Sequence, residues 1–326
     1  MADQPSILLT GGAGFVGRYL APALAASFPN HRRAMLCLEG GAGLPQGWQC
    51  EKADITDEAA VQGIVARHKP GIVVHLAAQS SAGQSAHAAE ATWRVNFGGS
   101  FALASAVARH APGGVFLFVS SSDVYGASFR QGTATEDTPP APLSPYAASK
   151  LAAESMLRDV LPSSSKLIIA RAFNHTGPGQ DERFVLPSFA AQIARIEAGL
   201  AEPRLRVGNL AVERDFLHVA DVADAYVRLL ERAGGLPRLS VFNVTSGQTY
   251  KIENLLQALR DLASKPFAIE PDPQRMRASD IPRAAGDGAR LKEATGWSPR
   301  RPVNELLREL LEWWRVRILE TSRDDG

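Results

Sequence analysis

The segment that most constrains the fold is a glycine-rich turn near the amino terminus. It reads Ile7-Leu-Leu-Thr-Gly-Gly-Ala-Gly-Phe-Val-Gly-Arg-Tyr-Leu20: an apolar strand, glycines spaced three apart, and an amphipathic helix. We assign Gly11 to a tight turn, Gly14 to the close approach of backbone amides to a pyrophosphate, and Gly17 to packing of the helix on the strand. Because a helix N-terminus attracts anions, the segment predicts a dinucleotide-binding site.

Beyond this turn, short β-branched runs alternate with longer amphipathic segments rich in Ala and Leu. Strands that are apolar throughout and are separated by helices are typical of a parallel sheet covered on both faces. The sequence therefore predicts an α/β fold with a doubly wound parallel sheet. The predicted strands are Ser6–Thr10, 34–38, 72–76, 115–120, 167–171 and 241–244, and the clearest helices are 92–109, 146–161 and 303–320.

Two acidic residues follow the second predicted strand, Glu39 directly and Asp54 after a further presumed strand without assigned bounds. Glu39 ends the second strand, 22 positions after Gly17, where a carboxylate can accept a hydrogen bond from a ribose 2′-hydroxyl. Asp54, which precedes Ile55, either accepts from the adenine amino group or caps the next helix. Glu39 favours NAD, whereas nearby arginines suit the 2′-phosphate of NADP, so the pattern leaves NAD versus NADP open. Those arginines are Arg18, Arg32 and Arg33.

Composition excludes several partner classes. The chain has 326 residues, and its 35 Lys and Arg against 34 Asp and Glu leave a net charge of +1, so neither nucleic acid nor an anionic membrane is attracted by bulk charge. No apolar run reaches the roughly 20 residues of a membrane span. The first residues lack a basic region and lead into a strand, which argues against a secretory signal. Cys37 and Cys50 alone cannot form a disulfide framework and are not spaced as metal ligands. We therefore expect a cytoplasmic location and no metal.

The regular alternation weakens after about Phe173, where glycines and prolines interrupt it. The chain returns to the sheet at 241–244, so we expect a smaller, discontinuous C-terminal α/β lobe beside the Rossmann sheet. The predicted cofactor-binding unit comprises residues 1–172 and about 216–262. The predicted substrate lobe comprises about 173–215 and 263–326.

A hydroxyl, a phenol and an ammonium form the predicted catalytic group. Tyr146 and Lys150 stand at i and i+4, which is one face of a helix. A phenol has a pKa of about 10, and a neighbouring cation favours its phenolate, which makes the phenol a better acid in the reverse step. Ser121 directly follows a buried strand, at the sheet edge where ligands bind, and can hydrogen-bond a substrate carbonyl.

Together, the glycine turn, Ser121 and Tyr146-x-x-x-Lys150 resemble the extended short-chain dehydrogenase/reductase family, which acts mostly on nucleotide sugars. In that family the catalytic serine or threonine lies five residues before the glycine of a Val-Tyr-Gly motif, here Gly126, which selects Ser121 over its serine neighbours. The resemblance also implies that Lys150 contacts the nicotinamide ribose. The expected cofactor site comprises Gly11, Gly14, Phe15, Val16, Gly17, Glu39, Asp54, Ile55, Ala77, Gln79, Asn96, Tyr146 and Lys150.

Cations gather in the predicted second lobe of an otherwise neutral protein, and forked guanidinium groups suit phosphate oxygens. The phrases Ser121-Ser-Asp-Val-Tyr-Gly126 and Phe173-Asn-His-Thr-Gly-Pro-Gly-Gln180 look most like reductases of GDP-4-keto-6-deoxy-mannose and the related GDP-mannose 4,6-dehydratases. The resemblance implies an NAD(P)H-dependent reduction of a GDP-linked keto-deoxy sugar to GDP-rhamnose. The expected substrate contacts are Ser121, Ser122, Asn174, Val185, Arg214, Arg277 and Asp280.

Asp123 is a further candidate catalytic residue, and it separates the possible reactions within this family. The dehydratases typically have glutamate at this position, and aspartate is one methylene shorter, which favours simple carbonyl reduction. A dehydratase, a 4-epimerase and a non-catalytic dinucleotide sensor stay as alternatives. The family also pairs two helices of each subunit in a dimeric four-helix bundle, so we expect a homodimer, although the same apolar pattern would serve an internal core. The apolar positions considered are Ala102, Leu103, Ala106, Leu151, Ala152 and Met156.

Overall fold

A computed structural model describes residues 4–39, 45–80, 88–276 and 281–324 of the chain. Its strands are Ser6–Thr10 (β1), Arg32–Cys37 (β2), Gln49–Lys52 (β3), Ile72–His75 (β4), Val115–Ser121 (β5), Lys166–Ala172 (β6), Asn174–Thr176 (β7), Arg204–Val207 (β8), Glu213–His218 (β9), Leu239–Val244 (β10), Thr249–Lys251 (β11), Ala268–Pro271 (β12) and Arg283–Ala284 (β13). Its α-helices are Phe15–Ser27 (α1), Glu58–His68 (α2), Ala89–Trp93 (α3), Ser100–His110 (α4), Pro145–Val160 (α5), Val185–Glu197 (α6), Val219–Arg232 (α7), Ile252–Asp261 (α8), Ala289–Thr295 (α9) and Val303–Asp324 (α10).

Seven strands form one parallel sheet in the order β3-β2-β1-β4-β5-β6-β10. The order reverses between β1 and β4, as in doubly wound dinucleotide-binding sheets, where ligands bind outside the carboxyl ends of the strands. One buried cluster lies between the sheet and α1 with α7, and a second lies on the other face against α2, α4 and α5. The predicted doubly wound sheet is therefore confirmed.

A smaller unit packs beside this sheet. Strand β9 pairs with β7, β11 and β13, and β8 pairs with β12. Helices α6, α8 and α10 share a separate apolar core. Helix α8 thus packs with the second unit, whereas Leu291 and Trp297 pack on the cluster beneath the sheet. These contacts cross the sequence-based bounds of the two units, and the division itself stays a prediction.

The predicted helix 92–109 has a different local geometry. The chain forms the short helix α3, then a π-helical turn at Arg94–Gly99, and then α4. Hydrophobic spacing cannot reveal this turn, because one extra residue per turn changes the periodicity only locally. Among the described helices, none is long and apolar enough to cross a membrane.

Candidate active site

The glycine-rich turn connects β1 to α1 and leaves no room for side chains at two of its glycines. Gly11 has a φ of +70°, and an added Cβ would lie 2.7 Å from the amide nitrogen of Ala77. An added Cβ on Gly17 would lie 2.3 Å from the carbonyl oxygen of Gly12, so this glycine packs α1 onto the turn itself. Gly14 is the N-cap of α1 and has no side chain to cap the first amides. These three glycines, Gly11, Gly14 and Gly17, therefore form a cradle that fits a pyrophosphate.

The acidic residues at the adenosine end of the sheet have separate tasks. Glu39 lies two residues beyond β2 and is exposed. One oxygen of Asp54 accepts hydrogen bonds from the amide and the hydroxyl of Thr56, both at 2.9 Å, and helix α2 is capped by Asp57. Asp54 is therefore not the helix cap. The side chain of Ile55 is buried, so it contributes to the core.

Two of the arginines weighed for a 2′-phosphate lie at the wrong end of β2. Arg32 and Arg33 are the first residues of that strand, roughly 15 Å from its carboxyl end. One guanidinium nitrogen of Arg33 donates to three backbone carbonyls, and Arg32 donates to the carbonyl of Gln4. Of the three, only Arg18, in the first turn of α1, lies beside the cradle.

The predicted catalytic residues converge at the carboxyl ends of the strands. Ser121 is the last residue of β5, and its hydroxyl lies beside the buried phenol of Tyr146 on α5 and lowers the pKa of that phenol. The hydroxyl of Ser144 accepts a hydrogen bond from the amide of Ala147 at 3.1 Å. This bond caps the N-terminus of α5, the helix that carries Tyr146 and Lys150. The Lys150 ammonium donates to the carbonyl of Val119 at 2.8 Å and lies 4.8 Å from the centre of the Phe118 ring.

Burial has the largest effect on the electrostatics of this group. Burial raises the pKa of Tyr146 above its ordinary value, the nearby Asp123 carboxylate raises it further, and the hydrogen bond from Ser121 lowers it. Burial lowers the pKa of Lys150 to about 7, against a smaller raising effect of Glu154. The lowered phenol pKa expected beside Lys150 and an oxidised nicotinamide stays a prediction for the cofactor-bound protein, since in the chain alone burial has the largest effect. The protein keeps Tyr146 in the protonated form that a general acid requires.

Asn96 joins the segment that follows β4 to the catalytic helix α5. It lies in the π-helical turn, where its side-chain oxygen accepts from the amide of Gln79 at 2.8 Å. Its side-chain nitrogen donates to the hydroxyl of Ser149 at 3.1 Å, and that hydroxyl donates to the carbonyl of Tyr146 at 2.8 Å. The Gln79 side chain accepts from Thr92 at 2.7 Å. Asn96 thus braces α5, and Ser149 is a positioning residue that sequence reasoning missed.

Asp123 and Ser122 begin the short 3₁₀ segment Ser122–Gln131 directly after β5. The hydroxyl of Ser121 accepts from the amide of Asp123 at 3.1 Å, which caps this segment. Asp123 is exposed and its carboxylate acts on the Tyr146 phenol, whereas Ser122 is buried. The carboxylate of Asp123 thus belongs to the same site as Ser121 and Tyr146.

The predicted substrate residues lie on β7, β9 and α6. Asn174 donates through its side-chain nitrogen to the carbonyl of Asp215 at 3.2 Å. Arg214 donates to the carbonyls of Glu213 and Ile281, both at 2.8 Å. Val185 is the first residue of α6, partly exposed at 39%. Arg277 and Asp280 fall outside the described residues.

Two other arginines of the second lobe have partners within it. Arg275 donates to the hydroxyl of Ser188 in α6 at 2.9 Å, which brings its guanidinium to the N-terminal half of that helix. Arg283 contacts the Glu213 carboxylate at 3.5 Å. Arg275 therefore packs on α6, whereas Arg283 supports the junction of β13 and β9.

The segment after β6 supplies an aromatic residue that sequence reasoning did not single out. The imidazole of His175 stacks on the Phe15 ring, with centroids 6.3 Å apart and an angle of 4° between the planes. Its Nδ1 is hydrogen-bonded to the carbonyl of Phe173 at 2.9 Å. The only sequence signal was its position in the polar stretch after a strand, next to Asn174.

Comparison with known proteins identifies what this arrangement is similar to. The family model described as GDP-mannose 4,6 dehydratase matches residues 8–310. A GDP-6-deoxy-D-mannose reductase from Pseudomonas aeruginosa is 38% identical over 318 residues, covering 96% of this chain and 98% of that protein. The structure of RMD from Pseudomonas aeruginosa complexed with NADPH aligns with a TM-score of 0.80 and 36% identity, covering 96% of this chain and 99% of that one. A Thermus thermophilus UDP-glucose 4-epimerase complexed with NAD aligns with a TM-score of 0.82 and 29% identity, covering 95% and 99%.

Proposed function

Because the chain belongs to the GDP-mannose 4,6 dehydratase family, we propose that it is an NAD(P)H-dependent reductase of the 4-keto group of GDP-4-keto-6-deoxy-mannose and forms GDP-rhamnose. The full-length similarity to a GDP-6-deoxy-D-mannose reductase supports this choice. The observation that carries it is the burial of the Tyr146 phenol beside Ser121 at the sheet edge, which raises the phenol pKa and so favours the protonated form. Carbonyl reduction needs a proton donor at that place.

Each side chain then has a defined task. The Ser121 hydroxyl donates to the substrate carbonyl and polarises it, and Tyr146 gives its proton to the C4 oxygen as negative charge develops there. Lys150 orients the nicotinamide ribose and stabilises the phenolate that remains. When the pyrophosphate of the reduced cofactor is bound in the cradle, its nicotinamide would supply the hydride. The protein therefore contributes positioning and electrostatics.

The second lobe supplies a site for the diphosphate of the sugar nucleotide. Phe184, the N-cap of α6, makes no side-chain capping bond, so the first amides and the positive end of the helix dipole are available to an anion. The guanidinium of Arg275 lies over the same helix through Ser188. The contacts of Asn174, Arg214, Arg277 and Asp280 with the nucleotide sugar stay predictions.

Reduction is favoured over dehydration because of Asp123. Its carboxylate lies close enough to Tyr146 to raise the phenol pKa, but it follows Ser121 by only two residues on a capped segment. A dehydratase needs a longer acid that reaches the sugar C5 proton. Burial, together with the shorter carboxylate of Asp123, raises the pKa of Tyr146 and so favours the protonated phenol that a reduction needs.

One assay tests the proposal and separates its rivals. Purified protein is given GDP-4-keto-6-deoxy-mannose with NADH or NADPH, and cofactor oxidation and GDP-rhamnose are measured. Stoichiometric formation of both supports the reductase, and the Tyr146→Phe variant is the inactive control. Conversion of GDP-mannose to the keto sugar without added cofactor indicates a dehydratase, and exchange at C4 without net oxidation indicates an epimerase. Cofactor binding without any turnover indicates a sensor.

NADH is the proposed preferred cofactor. The exposed Glu39 stands at the carboxyl end of β2, where a carboxylate pairs with a free 2′-hydroxyl and repels a 2′-phosphate. Two of the three arginines that suit a phosphate lie at the opposite end of that strand. The similar RMD from Pseudomonas aeruginosa was solved with NADPH. The cofactor preference therefore has to be measured on this chain, with NADH and NADPH compared directly.

A homodimer is the proposed assembly. Ala102, Leu103 and Ala106 are buried within the monomer, so they belong to the internal core and not to a subunit face. The exposed large apolar residues of this region are Trp93 and Phe101, at 40% and 43%, beside the partly exposed side of α5. A four-helix bundle built from α4 and α5 of both subunits would cover them. Light scattering that compares Phe101→Glu with the wild type tests this assembly.

The proposed location is the cytoplasm, because Cys37 and Cys50 are free thiols, which a reducing compartment preserves.

A further inference from the structure

A buried histidine outside the predicted site lies between the phosphate-binding turn and the π-helical turn. His75 is the last residue of β4 and is fully buried, with its ring against Phe116 and Phe118. Its Nδ1 lies 2.7 Å from the hydroxyl of Thr10, the residue before the glycine turn. Its Nε2 lies 2.9 Å from the hydroxyl of Ser100, the first residue of α4. Both ring nitrogens therefore bond to hydroxyl groups.

The neighbouring bonds decide which nitrogen carries the proton. Ser100 donates its one hydroxyl hydrogen to the carbonyl of Asn96, so it accepts from Nε2–H of His75. Nδ1 then accepts from the hydroxyl of Thr10, whose oxygen accepts from the amide of Ala77 at 3.2 Å. In this series of hydrogen bonds every donor has one acceptor, and only the neutral Nε2–H tautomer of His75 satisfies that pattern.

We infer that His75 is a positioning residue that couples the phosphate-binding turn to Tyr146 through the π-helical turn. The connection continues from Asn96, whose side chain donates to Ser149, and from Ser149 to the carbonyl of Tyr146. Two sets of hydrogen bonds, one to the backbone carbonyl and one from the side chain of Asn96, thus meet at this residue and connect the end of β1 to the start of the catalytic helix. This role rests on the proposed reduction, because it concerns the placement of its proton donor.

The surroundings of His75 keep it from acting as an acid or base itself. Burial lowers its pKa to about 3, and the positive charge of Lys150, the charged group that acts on it, lowers it further. An imidazolium would also present two donors, and Thr10 would have to give up its hydrogen bond to Nδ1. The ring therefore serves as a fixed neutral connector.

Measurement of the tautomer tests the geometry without any substrate. In the full chain labelled with ¹⁵N at histidine, we expect the His75 signals to show a protonated Nε2 and a bare Nδ1 from about pH 5 to 9. A protonated Nδ1 or an imidazolium in this range would overturn the inference. This readout stands even if the protein proves inactive on keto sugars, so a failure of the proposed function is distinguishable.

Substitutions test the coupling to turnover. Ser100→Ala and Thr10→Val each remove one end of the connector, and we expect kcat to fall about tenfold while the keto-sugar KM and the cofactor Kd stay within about twofold. His75→Gln, which keeps a donor towards Ser100, should retain more activity than His75→Phe. In the His75→Phe background, Ser100→Ala and Thr10→Val should cause little further loss.

Matched controls separate positioning from general destabilisation. Ser165→Ala and Thr295→Val also delete buried hydroxyls, but these residues lie away from the site, with partners at Gly113 and Leu291. They should lower thermal stability by a similar amount and leave kcat within about twofold. An unchanged kcat in Ser100→Ala, or an equal loss of kcat in the controls, would contradict the positioning role.

Discussion

Arg171 donates two hydrogen bonds to the carboxylate of Glu154, at 3.0 and 2.7 Å, and both side chains are almost completely buried. Glu154 also accepts from the hydroxyl of Ser120 at 2.6 Å. The pair therefore connects the helix that carries Tyr146 and Lys150 with the two strands that end at Ser121 and Ala172. Bidentate geometry and the extra hydroxyl bond offset the cost of burying two charges.

Breaking this ion pair should destabilise the protein strongly. Glu154→Gln leaves the guanidinium of Arg171 buried beside an uncharged partner, and we expect a loss of about 3–5 kcal/mol in the free energy of unfolding. The double variant Glu154→Leu with Arg171→Met removes both charges and should lose less. Urea unfolding at neutral pH measures both. A double variant less stable than Glu154→Gln would contradict this account.

Tyr146→Phe should abolish reduction while preserving the site. The variant removes only the phenol hydroxyl, so we expect kcat to fall by about 10²–10⁴-fold, the usual contribution of a positioned acid. Cofactor affinity, followed by nicotinamide fluorescence, should stay within about twofold. Retained turnover would exclude Tyr146 as the proton donor. Ser149→Ala tests the brace beneath it and should cause a smaller loss of kcat.

Lys150 should make stability depend on pH. Burial lowers its pKa from 10.5 to about 7, so above that pH the unfolded chain binds more protons at this residue than the folded chain does. Its contribution to the free energy of unfolding therefore rises with pH between about 7 and 10.5 and is least favourable below 7. Urea titrations should show that Lys150→Met removes this rise. The exposed Lys292→Met is the control and should leave the pH dependence unchanged.

Gly17→Ala should damage the cofactor cradle. The new methyl group would meet the backbone of Gly12 at 2.3 Å, so α1 has to move away from the turn. We expect a destabilisation of about 1–3 kcal/mol and a cofactor Kd raised at least tenfold. Gly63→Ala in helix α2 meets only the end of Arg67 at 3.6 Å and should be neutral or stabilising.

Glu39→Ser should change the cofactor preference. Removing the carboxylate takes away the acceptor for the 2′-hydroxyl and the repulsion of a 2′-phosphate, so the kcat/KM ratio of NADH to NADPH should fall at least tenfold. Arg18→Ala in that background should return part of the preference, since Arg18 is the arginine beside the cradle. An unchanged ratio would exclude Glu39 from cofactor selection. The exposed Glu58→Ser on α2 is the matched control.

Patterns along the chain were sufficient for the sheet and for the position of the turn. The glycine spacing and the apolar strands predicted a doubly wound parallel sheet, because a strand, a turn and a helix are decided by residues close in sequence. The i, i+4 spacing of Tyr146 and Lys150 and the strand end at Ser121 were readable for the same reason. Each of these features needs only local geometry.

Tertiary structure alone decided the chemistry of those residues. Residues distant in sequence raise the pKa of Tyr146 and bury Ala102 and Leu103. The fold also places Arg32 and Arg33 at the amino end of β2, away from the end where the adenosine is expected. The connector through His75 joins β1, β4 and α4, and no spacing along one segment encodes it. Burial, charge and hydrogen-bond partners depend on what packs around a side chain, and only the folded chain brings those neighbours together.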